Sequence, residues 1–204
     1  MTQDEQFAHN DYEITQRDLL YQGVFRLARY HITHRLFSGG WTQPFTREIF
    51  ERPSAAAVLP YDPALDRVIL IEQFRPGSMS DPNSPWQIEI PAGIIDGTDT
   101  PAETAYREAI EEANCPLLTL EPICEYFVSP GASNEYLSLY CGKVDATHAG
   151  GIFGLKEEQE DIRVLNVTST EAFAKLRSDQ IKTAPAIISL FWLQLHHNRL
   201  QELW

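Results

Sequence analysis

Glu108, Glu111 and Glu112 crowd the C-terminal half of the stretch YREAIEEANC, residues 106–115, and no lysine stands among them. On a helix they lie at i,i+3 and i,i+4 and share one arc, where like charges repel by about a few tenths of a kcal/mol. Carboxylates in the last turns also face the negative pole of the helix dipole, at a cost of roughly 0.3–1 kcal/mol each. Arg107 is read as pointing away from this arc. A solvated acidic face accounts for such a run without any chemistry. Clustered hard oxygens are equally what a divalent cation requires, and a bound Mg²⁺ would reverse both penalties. The helix alone carries both readings.

The elements that must position these residues are legible around them. Thr100 is a candidate N-cap, Pro101 fits the first helical position, and Glu103 sits where a capping box places it. Ala102, Ala105, Tyr106, Ala109, Ile110 and Ala113 form the expected apolar stripe, whose alanines would let the helix lie close to a sheet. Upstream, the apolar runs Ala55–Leu59 and Val68–Ile71 flank PYDPALD, a Pro/Asp turn, and predict a hairpin. WQIEIPAG alternates as a strand that Pro91 and Gly93 stop. Downstream, CEYFVSPG, YLSLYCGKV and DIRVLNVT read as strands, and HAGGIFGLKEEQED as a loop, glycine-containing and then acidic. APAIISLFWLQLHHNRL reads as an amphipathic helix with Ile187, Ile188, Trp192 and Leu195 on one stripe and His196-His197 as a surface pair. GVFRLARYHITHRLFSGG predicts strand and hairpin in a distinct N-terminal region, residues 1–50, ahead of a domain at 51–204. The pattern predicts an α/β sandwich with mixed strand directions.

Composition narrows the chemistry. The net charge of −13 over 204 residues argues against nucleic acid or an anionic membrane as partner. An anionic small molecule stays compatible if a cation stands between. Cys115, Cys124 and Cys141 are odd in number, sit in apolar runs and form no CxxC or Cys/His cluster, which argues against a disulfide framework or a zinc site. The N-terminus lacks the basic flank and apolar stretch of a signal peptide, and no apolar run reaches spanning length. A cytoplasmic setting is expected.

GIIDGTDTPAETAYREAIEEANC, residues 93–115, resembles the Nudix box, G-x5-E-x7-R-E-U-x-E-E-x-G-U with U aliphatic. Two registers compete. Counting from Gly97 makes Glu103 the first glutamate but puts Glu111-Glu112 where Arg-Glu belongs. Counting from Gly93 places Arg107-Glu108 and Glu111-Glu112 correctly and leaves Glu103 as a helix cap. In that register Asp99 replaces the first glutamate, which in the family pairs with the box arginine, and is one methylene short. Asn114 replaces the last glycine, at a helix end where a left-handed residue is often needed. Cys115 replaces an aliphatic residue.

The resemblance implies a Nudix-type α/β/α sandwich with a mixed β-sheet, preceded by an N-terminal β-rich region that serves dimerisation and the adenine side. ERPSAAAVLP, LIEQFR, WQIEIPAG and SPGASNE, with Pro130 some fifteen residues beyond the box, are similar to the ADP-ribose pyrophosphatase branch in its enterobacterial form. That likeness runs from about residue 20 to 200. It implies Mg²⁺, or Mn²⁺, on the Ala92 carbonyl, Glu108, Glu112 and Glu160, with Glu111 beside them. It makes Glu158 the general base and places Arg75 on the pyrophosphate. Glu135 and the Ser129–Gly131 turn fall on the ribose side, and Ile94 is a further substrate contact. Arg47, Glu48 and Arg52 fall near the adenine, acting across a homodimer interface, and Phe25 belongs to the same pocket. By residue type alone Arg75 reads equally as a strand-end arginine, Pro130-Gly131 as a turn, and Glu157–Asp161 as a solvated acidic loop. The implied reaction is Mg²⁺-dependent hydrolysis of ADP-ribose to AMP and ribose 5-phosphate. The rivals are hydrolysis of another nucleotide sugar, such as an ADP-sugar or GDP-mannose, and a sensor that binds ADP-ribose without cutting it.

Overall fold

Two kinds of sheet divide the chain. The computed structural model describes residues 7–204, except the side chain of Glu158. One unit comprises residues up to Pro53 together with Phe127–Glu135; the other comprises Ser54–Tyr126 and Tyr136–Trp204. The boundary read at residue 50 falls inside a strand.

The N-terminal unit is a three-stranded antiparallel sheet of β1 (Tyr12–Gln22), β2 (Arg26–His34) and β3 (Phe45–Glu51), in that order. Within these strands only Ala28 is buried. Charge pairs and rings across strands hold the sheet: Arg17 donates to Glu51 through Nε at 2.8 Å, and the Tyr30 hydroxyl donates to the same carboxylate at 2.5 Å. The segment 127–135 joins this sheet edge, with the Phe50 N–H donating to the Ala132 carbonyl at 2.8 Å.

The larger unit is built on β4 (Ala55–Asp62), all eight residues of which are buried, and β5 (Arg67–Phe74). A strand covered on both faces reads as a continuous apolar run rather than an alternating one. The remaining strands are β6 (Trp86–Glu89), β7 (Ala92–Ile94), β8 (Thr119–Phe127), β9 (Tyr136–Lys143), β10 (Gly151–Phe153) and β11 (Ile162–Thr168). The order is β10-β11-β5-β4-β9-β8, with β6 on β5 and β7 on β4. β4 and β9 run parallel, while the pairings of β4 with β5, β6 with β5 and β11 with β5 are antiparallel. Pro91 therefore interrupts the chain without ending it, because β7 resumes directly on β4. β10 lies inside the segment expected as loop.

Three helices cover this sheet: α1 (Pro101–Ala113), α2 (Ser169–Arg177) and α3 (Ala184–Leu203). Alternate residues of the central strands pack in opposite directions, as the period of two demands. Ala57, Leu59, Tyr61, Val68 and Leu70 pack with Ala172, Leu176, Leu190 and Leu193 of α2 and α3. Val58 packs with Ala105 and Ala109 of α1, and Ile69 and Ile71 with Ala113. The result is an α/β/α sandwich with a mixed sheet, as the sequence predicts.

Two helix readings need correction. α3 buries Ala186, Ser189, Leu190, Leu193 and Leu200, whereas Leu195 is 81% exposed. His197 is half-buried rather than free on the surface. Its Nε2 lies 2.6 Å from Asp66, in the β4–β5 turn, and its ring packs beside Tyr61 and Phe173. Asp66 also accepts from the Tyr61 and Ser169 hydroxyls at 3.0 and 2.7 Å, so one carboxylate ties the hairpin turn to α2 and α3. α2 itself was not foreseen, although Thr168 and Glu171 form a capping box that could have announced it. The three cysteines are free; Cys115 and Cys141 are buried and Cys124 is exposed. Among the described residues, no helix is long and apolar enough to cross a membrane.

Candidate active site

α1 starts where the sequence places it. Thr100 accepts from the Glu103 N–H at 3.2 Å and Glu103 accepts from the Thr100 N–H at 2.8 Å. It ends at Asn114 in the left-handed conformation (φ 47°, ψ 44°), with Cys115 buried beyond it. The buried face keeps only Ala105, Ala109 and Ala113 of the expected apolar stripe. Thr104, Ala105, Glu108, Ala109, Glu112 and Ala113 are buried, while Tyr106 and Ile110 are 38% and 50% exposed. Two glutamates thus point into the protein in place of two apolar residues.

The burial of those glutamates depends on Gly93 and Ala92. A Cβ on Gly93 would stand 1.7 Å from Glu108 Oε1, so only glycine leaves room for that carboxylate. Gly97, by contrast, meets nothing at its Cβ position and serves a turn with φ +55°. Glu112 accepts the Ala92 N–H at 2.8 Å through Oε2. Burial pushes the Glu112 carboxyl up to about 8, against that hydrogen bond and helped by the charges of Glu108 and Glu160. Burial also raises Glu108, opposed by Arg107 and reinforced by Glu111 and Glu160.

Arg107 does not point elsewhere, as its position on the helical wheel suggested. Its Nη1 lies 2.7 Å from Glu108 Oε1 and 2.8 Å from Glu111 Oε2, and Nη2 donates to the Ile94 carbonyl at 3.3 Å. The distance from Nε to Asp99 Oδ2 is 3.9 Å. Arg107 is therefore held more closely by the helix glutamates than by Asp99.

Glu160 enters from the acidic loop. It accepts the Leu155 N–H at 2.9 Å, and Gly154 (φ +106°) packs so closely that a Cβ there would stand 2.6 Å from Glu160 Cβ. The Gly154 N–H in turn donates to the Glu111 carbonyl at 3.3 Å, which ties this loop to α1. Glu158 ends a short 3-10 turn, Lys156–Glu158, and its side chain lies outside the described residues. Arg75 follows β5 and is held by Glu89, its Nε donating to Oε2 at 2.8 Å. Gln73, which the sequence reading passed over, donates to Glu89 at 3.2 Å and approaches Glu112 Oε1 at 3.5 Å.

The residues expected on the ribose and adenine sides all belong to the N-terminal unit with 127–135. Arg52 donates to Glu135 at 2.9 Å through Nη1 and lies over the Phe25 ring at 4.8 Å. Arg47 and Gly131 line a cavity of about 530 Å³ together with Tyr12, Tyr30, Phe127 and Asn134. Ser129 accepts the N–H groups of Ala132 and Ser133, closing the turn around Pro130. Glu48 pairs with Arg29 at 2.7 Å on the sheet.

Among the described residues, no three carboxylate, histidine or cysteine groups converge tightly enough to hold an ion as they stand. The donor set nevertheless has the chemistry of a hard-cation site. Buried carboxylates that repel one another, in a cradle that a Cβ at Gly93 would fill, call for positive charge, and Arg107 supplies it here.

The fold and this arrangement define a class, and the chain belongs to the NUDIX domain family, whose model matches residues 51–187. The chain is 43% identical over 198 residues to the ADP-ribose pyrophosphatase of Escherichia coli (strain K12), covering 97% of this chain and 95% of that protein. It is 39% identical over 207 residues to the ADP-ribose pyrophosphatase of Haemophilus influenzae, covering 100% and 95%. The GDP-mannose pyrophosphatase of Cronobacter sakazakii is a more distant relative, 33% identical over 177 residues, or 84% and 88% of the two chains.

Proposed function

We propose that the protein hydrolyses the pyrophosphate of ADP-ribose to AMP and ribose 5-phosphate with Mg²⁺, or Mn²⁺, in the cytoplasm. One observation carries this reading: 43% identity to an ADP-ribose pyrophosphatase extends over 97% of the chain and so reaches well outside the box.

Glu108, Glu112 and Glu160, with Glu111 beside them and the Ala92 carbonyl, are the residues to hold the ion, once Arg107 yields Glu108 and Glu111. When bound, the ion supplies charge neutralisation of the phosphates and acidifies a water. Glu158 would take a proton from the attacking water as that water's oxygen bonds to phosphorus, and the bond from phosphorus to the bridging oxygen would break to leave AMP and ribose 5-phosphate. Arg75, steadied by Glu89, offers a forked donor to the pyrophosphate. Ile94, at the edge of the box, is a further substrate contact.

The N-terminal region is proposed to serve the adenine and ribose side through Phe25, Arg47, Glu48, Arg52, Ser129, Gly131 and Glu135, in a homodimer. Its support is the cavity lined by Arg47 and Gly131, and the exposed apolar side chains of β1, Tyr12 at 46% and Ile14 at 47% among them. Sedimentation equilibrium tests the dimer; a monomer at micromolar concentration removes it.

A second reading, cleavage of GDP-mannose, has the 33% identity to a GDP-mannose pyrophosphatase behind it. A panel of nucleotide sugars with Mg²⁺ and product identification decides. The expected result is the highest kcat/KM for ADP-ribose, with AMP released. Preference for GDP-mannose overturns the substrate, and tight ADP-ribose binding without AMP overturns the enzyme.

A further inference from the structure

Along β5 the residues that face α1 alternate, and the row begins as core: Ile69 and Ile71 pack with Ala113 and Cys115. Gln73 is next in that row and is only 5% exposed. A buried amide in an apolar row is costly unless its hydrogens are used. Gln73 Nε2 stands 3.2 Å from Glu89 Oε2 and 3.5 Å from Glu112 Oε1. Its two hydrogens are thus offered to two carboxylates, one on β6 and one on α1. Each carboxylate has a second anchor: Glu112 accepts the Ala92 N–H at 2.8 Å, and Glu89 accepts Arg75 Nε at 2.8 Å. Arg75 continues the same extended row (φ −121°, ψ 109°). The tether uses Nε rather than the terminal nitrogens that would fork onto a phosphate.

We propose that Gln73 is a positioning residue that joins the metal carboxylate Glu112 to Glu89, the anchor of the phosphate arginine Arg75. The inference rests on the proposed roles of Glu112 and Arg75. Gln73 fixes the rotation of the Glu112 carboxylate from the side opposite Ala92. Through Glu89 it also sets the height of the Arg75 guanidinium, so cation and phosphate binding are coupled through one buried amide. A glutamine suits this place because its amide presents two donors and no charge. A methionine fills the same space without the donors.

The test is Mn²⁺ binding to the substrate-free protein, followed by titration calorimetry in wild type, Q73M, E89Q, Q73M/E89Q and E112Q. Loss of such an outer partner typically weakens metal affinity 10–100-fold; for Q73M the Kd is expected to rise about tenfold, at the lower end of that range. The double variant is expected to lose less than the product of the single losses. An unchanged Kd in Q73M, or effects that simply multiply, overturns the proposal. If E112Q binds Mn²⁺ as wild type does, the metal-site reading itself fails and takes the proposal with it. If E112Q weakens binding and Q73M does not, Gln73 alone is wrongly placed. Should Q73M not fold, the wild-type protein still answers: the side-chain amide resonances of Gln73 are expected to shift on Mg²⁺ addition. Resonances that stay put overturn the proposal.

Discussion

α1 and α2 open with the same device and close in opposite ways. Thr100 with Glu103 and Thr168 with Glu171 make equivalent capping boxes, each threonine accepting a backbone N–H at 3.1–3.2 Å. α2 then places Lys175 and Arg177 in its last turn, where cations complement the dipole. α1 has no basic residue there and instead ends on Glu111 and Glu112, beside Glu108. α2 is a helix optimised as a helix. α1 carries charges that its own electrostatics oppose, and the difference marks which of the two has work beyond packing.

Five substitutions test that contrast, from the largest effect down. E112Q is expected to cut kcat/KM by two orders of magnitude or more, in the range found when charge stabilisation is lost, while raising the melting temperature of the metal-free protein. A melting temperature that falls instead would mean Glu112 stabilises the fold, and the contrast with α2 would collapse. T100A and T168A should each cost about 1 kcal/mol, the usual worth of an N-cap. Chemical denaturation should give matching losses, and a gap well beyond 1 kcal/mol would show that the two caps are not equivalent. K175E, which gives α2 the polarity of α1, should cost about 0.3–1 kcal/mol at low ionic strength and less in high salt. D99E restores the longer arm opposite Arg107 and should draw the guanidinium from Glu108 and Glu111. Mg²⁺ affinity should then rise about twofold, the scale of a surface ion pair; no change in a binding titration would show that Asp99 does not govern Arg107.

The central hairpin of the sheet, the start and stop of α1, and the box register were readable, because each depends on local signals: apolar runs, capping residues and one unusual spacing of charges. Failures cluster where packing is decided at a distance. The apolar stripe of α1 was misphased because the buried face holds Glu108 and Glu112, so hydropathy pointed to Tyr106 and Ile110 instead. In α3 apolar residues fall on several sides of the helix, and periodicity could not tell Leu193, buried, from Leu195, exposed. Arg107 was misread because a guanidinium on a long stem reaches neighbours that its Cβ direction does not indicate. Gln73 closes an apolar strand and carries no local signal of a role, because its two carboxylate neighbours come from β6 and α1. The grouping of residues 127–135 with the N-terminal strands is a non-local pairing, through Phe50 and Ser133, that no nearby residue encodes.

The unequal placement of the three cysteines gives the protein a built-in chemical reporter. Burial pushes the Cys115 thiol up to about 11 and raises Cys141 further, while Cys124 is exposed on β8. Thiolate, not thiol, reacts with disulfide reagents and maleimides. A native chain should therefore label at Cys124 alone, and the remaining two thiols should react only as α1, β9 and the central sheet open. Their labelling rate, compared with and without added Mg²⁺, would time the opening of the sandwich with no engineered probe.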